Sequence, residues 1–240
     1  MNIFTKTLTA AALATVSGIA AADDISANVS LANDYIWRGV SQTNEKAAIS
    51  GGFDYSHSLN DSLSLYVGTW SSNVDPTFFG GTHSPSTELD LYTGLSGTAG
   101  DFTYDAGWLR YFYPGGSANA TTEWKLGGGW KWFGATYYYS NDWFGTHNDS
   151  SRIEGTFDYD LPYEIALSAA IGNNYGDGTE AFFSDSYVDW KLGVSKTMLG
   201  VDWGLAYTDT DIKHSDCGGS CPNKINIKTS IKRRRGNTCL

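Results

Sequence analysis

Between Ile25 and Tyr207 the sequence alternates apolar and polar residues along successive runs of roughly ten residues. Successive side chains of a β-strand point to opposite faces, so each run predicts a strand with one apolar and one polar face. In the first run the predicted apolar face consists of Ile25, Ala27, Val29, Leu31, Tyr35 and Trp37. Such strands can bury their apolar faces in a core or turn them outward into lipid, and the connections between the runs indicate which.

The connections alternate between short and long. Tight turns are predicted at residues 57–61, 97–100, 133–134, 160–162 and 197–200, and longer polar loops at 39–45, 71–87, 114–120, 141–150, 172–185 and 208–222. Outer-membrane barrels have short turns in the periplasm and long loops outside the cell. A soluble sandwich or lipocalin-like barrel would have no reason to segregate loop lengths. We therefore predict an all-β fold, an antiparallel transmembrane β-barrel with short periplasmic turns and long extracellular loops.

The end of the chain decides the strand count. Eleven runs alternate clearly, but an antiparallel barrel needs an even number of strands to close. The candidate for the last strand, Lys224 to Lys232, has the right period but no aromatic residue, and a basic tail follows it. We predict about 12 strands, with an eleven-strand β-barrel over residues 23–222 and a doubtful last strand and basic tail over residues 223–240.

Residues 1–22 are predicted to be a secretion signal peptide. Lys6 supplies the positive start, residues 8–21 a mildly apolar middle, and Ala20 to Ala22 a small-residue cleavage site. A membrane anchor is the alternative, but the segment is short and rich in Thr and Ala. Composition agrees with a barrel, since 28 Gly and 15% aromatic residues suit twisted strands with aromatic girdles. The expected location is the bacterial outer membrane, reached by export through the periplasm.

The formal net charge is -10. An acidic body argues against nucleic acid as a partner, because nucleic-acid binding needs a basic surface. The acids can form a solvated outer surface, or they can give a pore a preference for cations. The sequence leaves both interpretations open. The expected partners are outer-membrane lipid and lipopolysaccharide, the barrel-insertion machinery and an unknown small-molecule solute.

Charged residues of both signs fall on the polar faces of the strands. They can fill a narrow lumen as a structural network of ion pairs, or they can line a water-filled path. Asp34 and Arg38 are predicted to share one strand, close enough to pair with each other or with neighbours, and Gly39 to let the chain bend into the first external loop. The candidate pore-lining residues are Asp34, Arg38, Asp54, Glu88, Asp90, Glu123, Lys125, Arg152, Glu154, Asp189 and Lys191.

Catalytic chemistry has little support. The four histidines lie in turns or loops and none sits mid-strand beside a candidate serine, so we predict no enzyme, no cofactor and no metal site. Barrel lipases need no local motif, which leaves that alternative open. Cys217 and Cys221 are close enough to form a disulfide within one loop. Several aromatic residues can form girdles at the membrane interface, or alternatively a platform that binds carbohydrate. They include Tyr111, Tyr113, Trp130, Trp132, Tyr137, Tyr138, Tyr139, Trp143 and Phe144.

The run from Ser26 to Thr43, with Asp34-Tyr35-Ile36-Trp37-Arg38-Gly39 at its centre, resembles the opening signature of the proteobacterial TorF-type porins. That family is also described as the Gcw_chp domain of unknown function. The resemblance continues at residues 51–55, 68–74, 88–92, 104–107, 111–115 and 207–211, and it covers about residues 23–222. It implies an outer-membrane location and a pore, without a substrate or functional residues. Members of such families usually end on an aromatic residue, whereas this chain ends in Leu240 after a basic run, which is consistent with a reading-frame change or an altered tail.

We therefore expect an outer-membrane porin-like channel for passive diffusion of small solutes or ions. A preference for cations is the more specific form of this expectation. The alternative is a closed structural or adhesin-like outer-membrane barrel without transport.

Overall fold

The computed structural model describes residues 24–76, 85–115, 120–213 and 224–234, and most of them are in β-strands. The predicted signal peptide, the Cys217–Cys221 pair and the last six residues of the basic tail lie outside the described residues. No helix in the described ranges has the length and hydropathy needed to cross a membrane. The strands are β1 (Asp24–Ala32), β2 (Ile36–Trp37), β3 (Val40–Ser41), β4 (Ala48–Asn60), β5 (Leu63–Asn73), β6 (Thr87–Ala99), β7 (Phe102–Phe112), β8 (Thr121–Trp130), β9 (Phe133–Ser140), β10 (Ser150–Leu161), β11 (Ile165–Tyr175), β12 (Tyr187–Met198), β13 (Val201–Thr210) and β14 (Lys224–Arg234). A 3₁₀ turn spans Pro162–Glu164, and helix α1 spans Asp177–Phe183.

Twelve strands, all except β2 and β3, close into one antiparallel barrel in which each strand pairs with its neighbours in the ring. The ring closes where β14 pairs with β1, Ile231 opposite Val29, and with β13, Ile227 opposite Leu205. Closure leaves no free sheet edge, as a lipid environment requires. The predicted antiparallel barrel of twelve strands is confirmed, and the segment from Lys224 supplies its last strand.

The apolar faces of the strands point outward. Large apolar side chains stay uncovered on the outside, and Phe53 and Leu126 each keep 65% of their surface exposed. Aromatic pairs lie on the same outer surface, with the Phe102 and Trp130 rings stacked at 6.4 Å between centroids and Trp132 set edge-on to Tyr159 at 5.5 Å. An outward apolar band with aromatic residues near its rim is the surface that a transmembrane barrel presents to lipid.

Connection length separates the two ends of the barrel, as predicted. At one end, here called the short-turn end, residues 61–62, 100–101, 131–132 and 199–200 join consecutive strands, and the 3₁₀ turn joins β10 to β11. Gly100 and Gly200 have φ of 63° and 76°, the left-handed geometry that such tight hairpins require. At the other end, the long-loop end, the connections are residues 33–47, 74–86, 113–120, 141–149, 176–186 and 211–223.

The prediction for the first strand is wrong at its end. β1 stops at Ala32, and both Tyr35 and Trp37, predicted to face lipid, are buried inside the barrel. The chain leaves the sheet there because the Asp34 carboxylate accepts hydrogen bonds from Ser41 and Thr43, which closes the segment on itself. The first part of the predicted external loop, from Gly39 to Thr43, is therefore folded into the lumen, whereas Asn44 and Glu45 are exposed.

Candidate functional site in the barrel lumen

The inner face of the barrel is polar, and its burial changes along the barrel axis. Toward the long-loop end the inward side chains are buried, as for Glu88 and Glu123. Toward the short-turn end they are half-buried, as for Thr156, Ser168 and Ser195. The same wall encloses both ends, so the difference arises from what lies inside. The lumen is open to water at the short-turn end and filled at the long-loop end.

Residues 33–47, here called the plug hairpin, contribute to this filling. Within it β2 and β3 pair as a short ribbon, Ile36 opposite Ser41 and Trp37 opposite Val40. Its tip is a tight turn in which Arg38 and Gly39 have φ of 49° and 80°. Both residues are left-handed, as a tight hairpin turn requires. The turn places the Arg38 side chain at the leading end of the hairpin.

Hydrogen bonds within the plug hairpin, and one to the connection after β5, stabilise the base of the hairpin. One oxygen of the Asp34 carboxylate accepts hydrogen bonds from the Ser41 hydroxyl at 2.6 Å and the Thr43 hydroxyl at 2.8 Å. The main-chain carbonyl of Gln42 accepts a hydrogen bond from the Asp75 main-chain amide at 2.8 Å. These bonds hold the hairpin together as a unit and join it to the connection after β5.

The tip of the plug hairpin contacts the far wall. Arg38 Nη2 donates to both carboxylate oxygens of Glu123 on β8, each at 2.8 Å. In the ring of strands β8 stands nearly opposite β1, from which the hairpin starts. Tyr111 also donates to the Glu123 carboxylate at 2.7 Å, and Tyr187 on β12 donates to the Arg38 carbonyl at 3.2 Å. The plug hairpin therefore crosses the lumen.

Aromatic rings surround the Arg38 guanidinium. Its carbon lies 4.4 Å from the Trp37 ring centroid, 5.2 Å from that of Tyr138 and 5.4 Å from that of Trp143. Burial acts to lower the pKa of Arg38, but the neighbouring Glu123 carboxylate acts the other way, and the net effect raises that pKa. Arg38 thus remains charged, and its charge is matched by Glu123 and by the negative faces of the rings.

A second buried ion cluster joins strands of the wall to one another. Arg152 on β10 donates to both oxygens of Asp189 on β12, to Glu154 at 2.7 Å and to Asn174 on β11 at 2.9 Å. The side chains of Arg152 and Asp189 are almost fully buried. Such a network is stable only when every member is paired, as it is here.

A third group lies on the wall opposite that cluster. Lys125 on β8 pairs with Asp105 on β7 at 3.0 Å, and Tyr66 donates to the same carboxylate at 3.1 Å. Tyr92 donates in the same way to Asp54 on β4. Tyrosine hydroxyls thus satisfy carboxylates along β4 to β7, and the large rings fill that side of the lumen.

Two buried carboxyls on β6 have a different environment. Glu88 accepts a hydrogen bond from Tyr35 at 3.1 Å, and among the described residues no lysine or arginine forms a salt bridge with Glu88 or Asp90. Burial, and then the charges of Glu88 and Asp90, raise the pKa of Tyr35 well above its ordinary value. The pKa of Tyr113 is raised for the same reasons. Both hydroxyls therefore stay protonated as donors.

All the predicted pore-lining residues face the inside of the barrel. Asp34 and Arg38 lie at the base and tip of the plug hairpin, so Arg38 pairs with Glu123 instead of a neighbour on its own strand. Whether any of these residues lines a pore stays a prediction. Those on the barrel wall are Asp54, Glu88, Asp90, Glu123, Lys125, Arg152, Glu154, Asp189 and Lys191.

The aromatic residues that fill the lumen were missed. Tyr111, Tyr113, Tyr138 and Trp143 were interpreted as interface girdles or a carbohydrate platform, but all four are buried inside the barrel. Trp143, from the connection after β9, stacks on Trp37 with 5.6 Å between ring centroids. The available signal was strand parity, because Tyr111 and Tyr138 fall on the same face as their inward charged neighbours.

Comparison with known proteins gives a family and a fold. Residues 17–230 match the family described as bacterial protein of unknown function (Gcw_chp), and no curated protein matches the sequence. The NanC porin structure aligns with a TM-score of 0.52 and 11% identity, covering 88% of this chain and 98% of that one. The COG4313 outer membrane channel from Pseudomonas putida F1 aligns with a TM-score of 0.51 and 11% identity, covering 91% and 97%. A membrane protein studied for in-meso crystallization aligns with a TM-score of 0.59 and 10% identity, covering 88% and 83%. At these identities the likeness shows the outer-membrane barrel fold alone.

Proposed function

The chain belongs to the Gcw_chp family of bacterial proteins of unknown function, and from this premise and its barrel we propose that it is a porin-like channel of the bacterial outer membrane. It passes small solutes or ions by passive diffusion and is not an enzyme. Its membership of the TorF-type porins, its export through the periplasm and its contacts with lipopolysaccharide and the insertion machinery belong to the same proposal.

The observation that carries this function is the water-accessible lumen at the short-turn end. The inward positions on β10, β11 and β13 hold small residues at this end. Thr156, Ser168, Ala170 and Gly204 are among them, and these four residues are half-buried. Twelve strands enclose more space than the eight that side chains alone fill.

Cation preference is the finer part of the proposal. The half-buried section of the lumen carries Asp54, Glu154 and Asp158 on its inner face, together with Lys191. Fixed negative charges beside a narrow aqueous path concentrate cations and repel anions.

The second candidate is a closed barrel without transport, and a specific observation favours it. The plug hairpin fills the lumen at the long-loop end, and its tip forms a buried ion pair with the far wall. If the hairpin never leaves, the barrel is a scaffold or an adhesin that transports nothing.

Single-channel recording in planar bilayers separates the two candidates. The full chain is compared with a variant in which residues 36–41 are replaced by a short Gly-Ser linker, and heat-modifiable mobility on SDS gels verifies that both have folded. The channel predicts discrete conductance steps, and reversal potentials in a salt gradient that favour cations. Absence of steps from both proteins in every salt contradicts the channel, and anion selectivity contradicts cation preference alone.

A further inference from the structure

We propose that the plug hairpin is the gate of this lumen and that the contact between Arg38 and Glu123 is its latch. In the seated state the hairpin blocks the long-loop end, and in the withdrawn state solutes pass. The inference rests on the proposed channel function, and it adds where and by which residues the channel is regulated.

The backbone of the hairpin is not part of the hydrogen-bonded ladder of the barrel wall. β2 and β3 pair with each other alone in a two-stranded sheet, whereas the barrel ladder runs directly from β1 to β4. Withdrawal of the hairpin therefore breaks no hydrogen bond of the barrel ladder. Transport devices that must move inside a rigid barrel need this independence, because the wall itself cannot open without exposing backbone groups to lipid.

The hairpin can also move as a unit. The bonds of Asp34 to Ser41 and Thr43 lie within the hairpin, so they travel with it. The returning arm passes through Asn44 and Glu45, which are exposed and have left-handed φ of 50° and 61°. An exposed segment in a sparsely populated backbone region is suited to absorb the dihedral change of a hinge.

The tip contacts are the ones that a latch needs. The Arg38–Glu123 pair is bidentate on the carboxylate and nearly fully buried, and Tyr111 orients the same carboxylate. Removing one member of such a pair leaves an unpaired buried charge. The pair therefore favours either a seated, dry hairpin or a withdrawn hairpin with a hydrated lumen, and disfavours positions between them.

Withdrawal also changes the charge of the path. Once Arg38 leaves, Glu123 loses its positive partner and keeps the hydrogen bond from Tyr111, near Asp90 and Glu88 on the same side. The opened long-loop end then adds negative charge to a lumen that already carries acids below it. The gate and the proposed cation preference thus act in the same direction.

The test measures open probability in bilayers for four folded proteins: the full chain, Arg38→Gln, Glu123→Gln and the double variant. Either single variant raises open probability about tenfold or more, because a charge-assisted hydrogen bond that holds the seated state is lost. The double variant opens more often than the full chain but less often than either single variant, since it breaks the latch without leaving an unpaired buried charge. The matched control is Arg110→Gln, the same substitution at an arginine of β7 that donates to Thr122 on β8 at 3.1 Å, outside the hairpin; its open probability stays unchanged.

Cysteine labelling supplies a readout that does not depend on conduction. Val40 lies in the hairpin and is 2% exposed. In a background with Cys217, Cys221 and Cys239 replaced by Ser, a membrane-impermeant maleimide labels Val40→Cys faster when Arg38→Gln is also present.

The outcomes are distinct. If the variant with residues 36–41 replaced conducts but Arg38→Gln and Glu123→Gln match the full chain in both readouts, the latch is overturned and the channel stands. If none of the proteins conducts, the channel and its gate are both rejected. If the Arg110→Gln control opens as often as Arg38→Gln, loss of any arginine contact is sufficient and the specific latch is rejected.

Discussion

Gly39 offers a steric test, independent of charge, of whether the plug hairpin lies inside the lumen. A Cβ atom added at Gly39 would lie 2.8 Å from the Asp189 Cβ on β12 and 3.1 Å from the Thr210 Cβ on β13. The φ of 80° at Gly39 also strains any other residue, but the turn persists when the hairpin withdraws, so that strain cancels between the two states. The overlap exists only in the seated state. Overpacking of this kind costs about 1–3 kcal/mol, which is a shift of about 5- to 150-fold toward the withdrawn state.

The assay is the maleimide labelling of Val40→Cys in the cysteine-free background, with and without Gly39→Ala. Labelling through a brief opening follows the population of the open form, so the rate rises by the same factor. Gly100→Ala is the control, because Gly100 has φ of 63° but nothing within 4 Å of an added Cβ, and it lies at the short-turn end. If Gly39→Ala leaves the labelling rate unchanged, or if Gly100→Ala raises that rate equally, the placement of the plug hairpin inside the lumen is refuted.

Three further predictions concern the wall, the closure and the charge of the lumen. Gly172→Ala places a Cβ 2.1 Å from Arg152 Nη2, so the Arg152 cluster breaks at a cost of about 3–5 kcal/mol, seen as a lower temperature for the heat-induced mobility shift. A chain that ends at Arg234 keeps β14 and gives a heat-modifiable band, whereas one that ends at Pro222 leaves β1 and β13 with open edges and gives none. Asp158→Asn weakens cation selectivity, measured as a reversal potential closer to zero in a salt gradient.

The strands and their outward faces could be predicted because both depend on local order. Apolar side chains at every second position specify a lipid-facing surface wherever the strand lies in the ring, so Ile25, Val29 and Leu31 were placed correctly without knowledge of their neighbours. The connection lengths are equally local. The segment that forms β14 had the predicted period as well, although its pairing with β1 joins the last strand of the barrel to the first.

The plug hairpin could not be predicted from period. Alternation continues from β1 through Tyr35 and Trp37, and aromatic residues near a barrel rim suit a girdle as well as a filled lumen. What removes the segment from the sheet is the side chain of Asp34, which bonds seven and nine residues ahead. What holds it across the lumen is a pair between Arg38 and Glu123, 85 residues apart. Periodicity carries no information about contacts at that separation.

The passage of current through the half-buried section of the lumen can be tested by blocking that section during recording. Ala170 faces the lumen on β11 and its neighbour Ala169 faces lipid, as their partners Thr156 and Phe157 on β10 indicate. Cysteine is placed at either position in the cysteine-free background with residues 36–41 replaced, and a bulky charged thiol reagent is added during single-channel recording. We expect the reagent to lower the unitary conductance of Ala170→Cys and to leave that of Ala169→Cys unchanged. Equal responses, or no conductance to block, would contradict a solute path through this barrel.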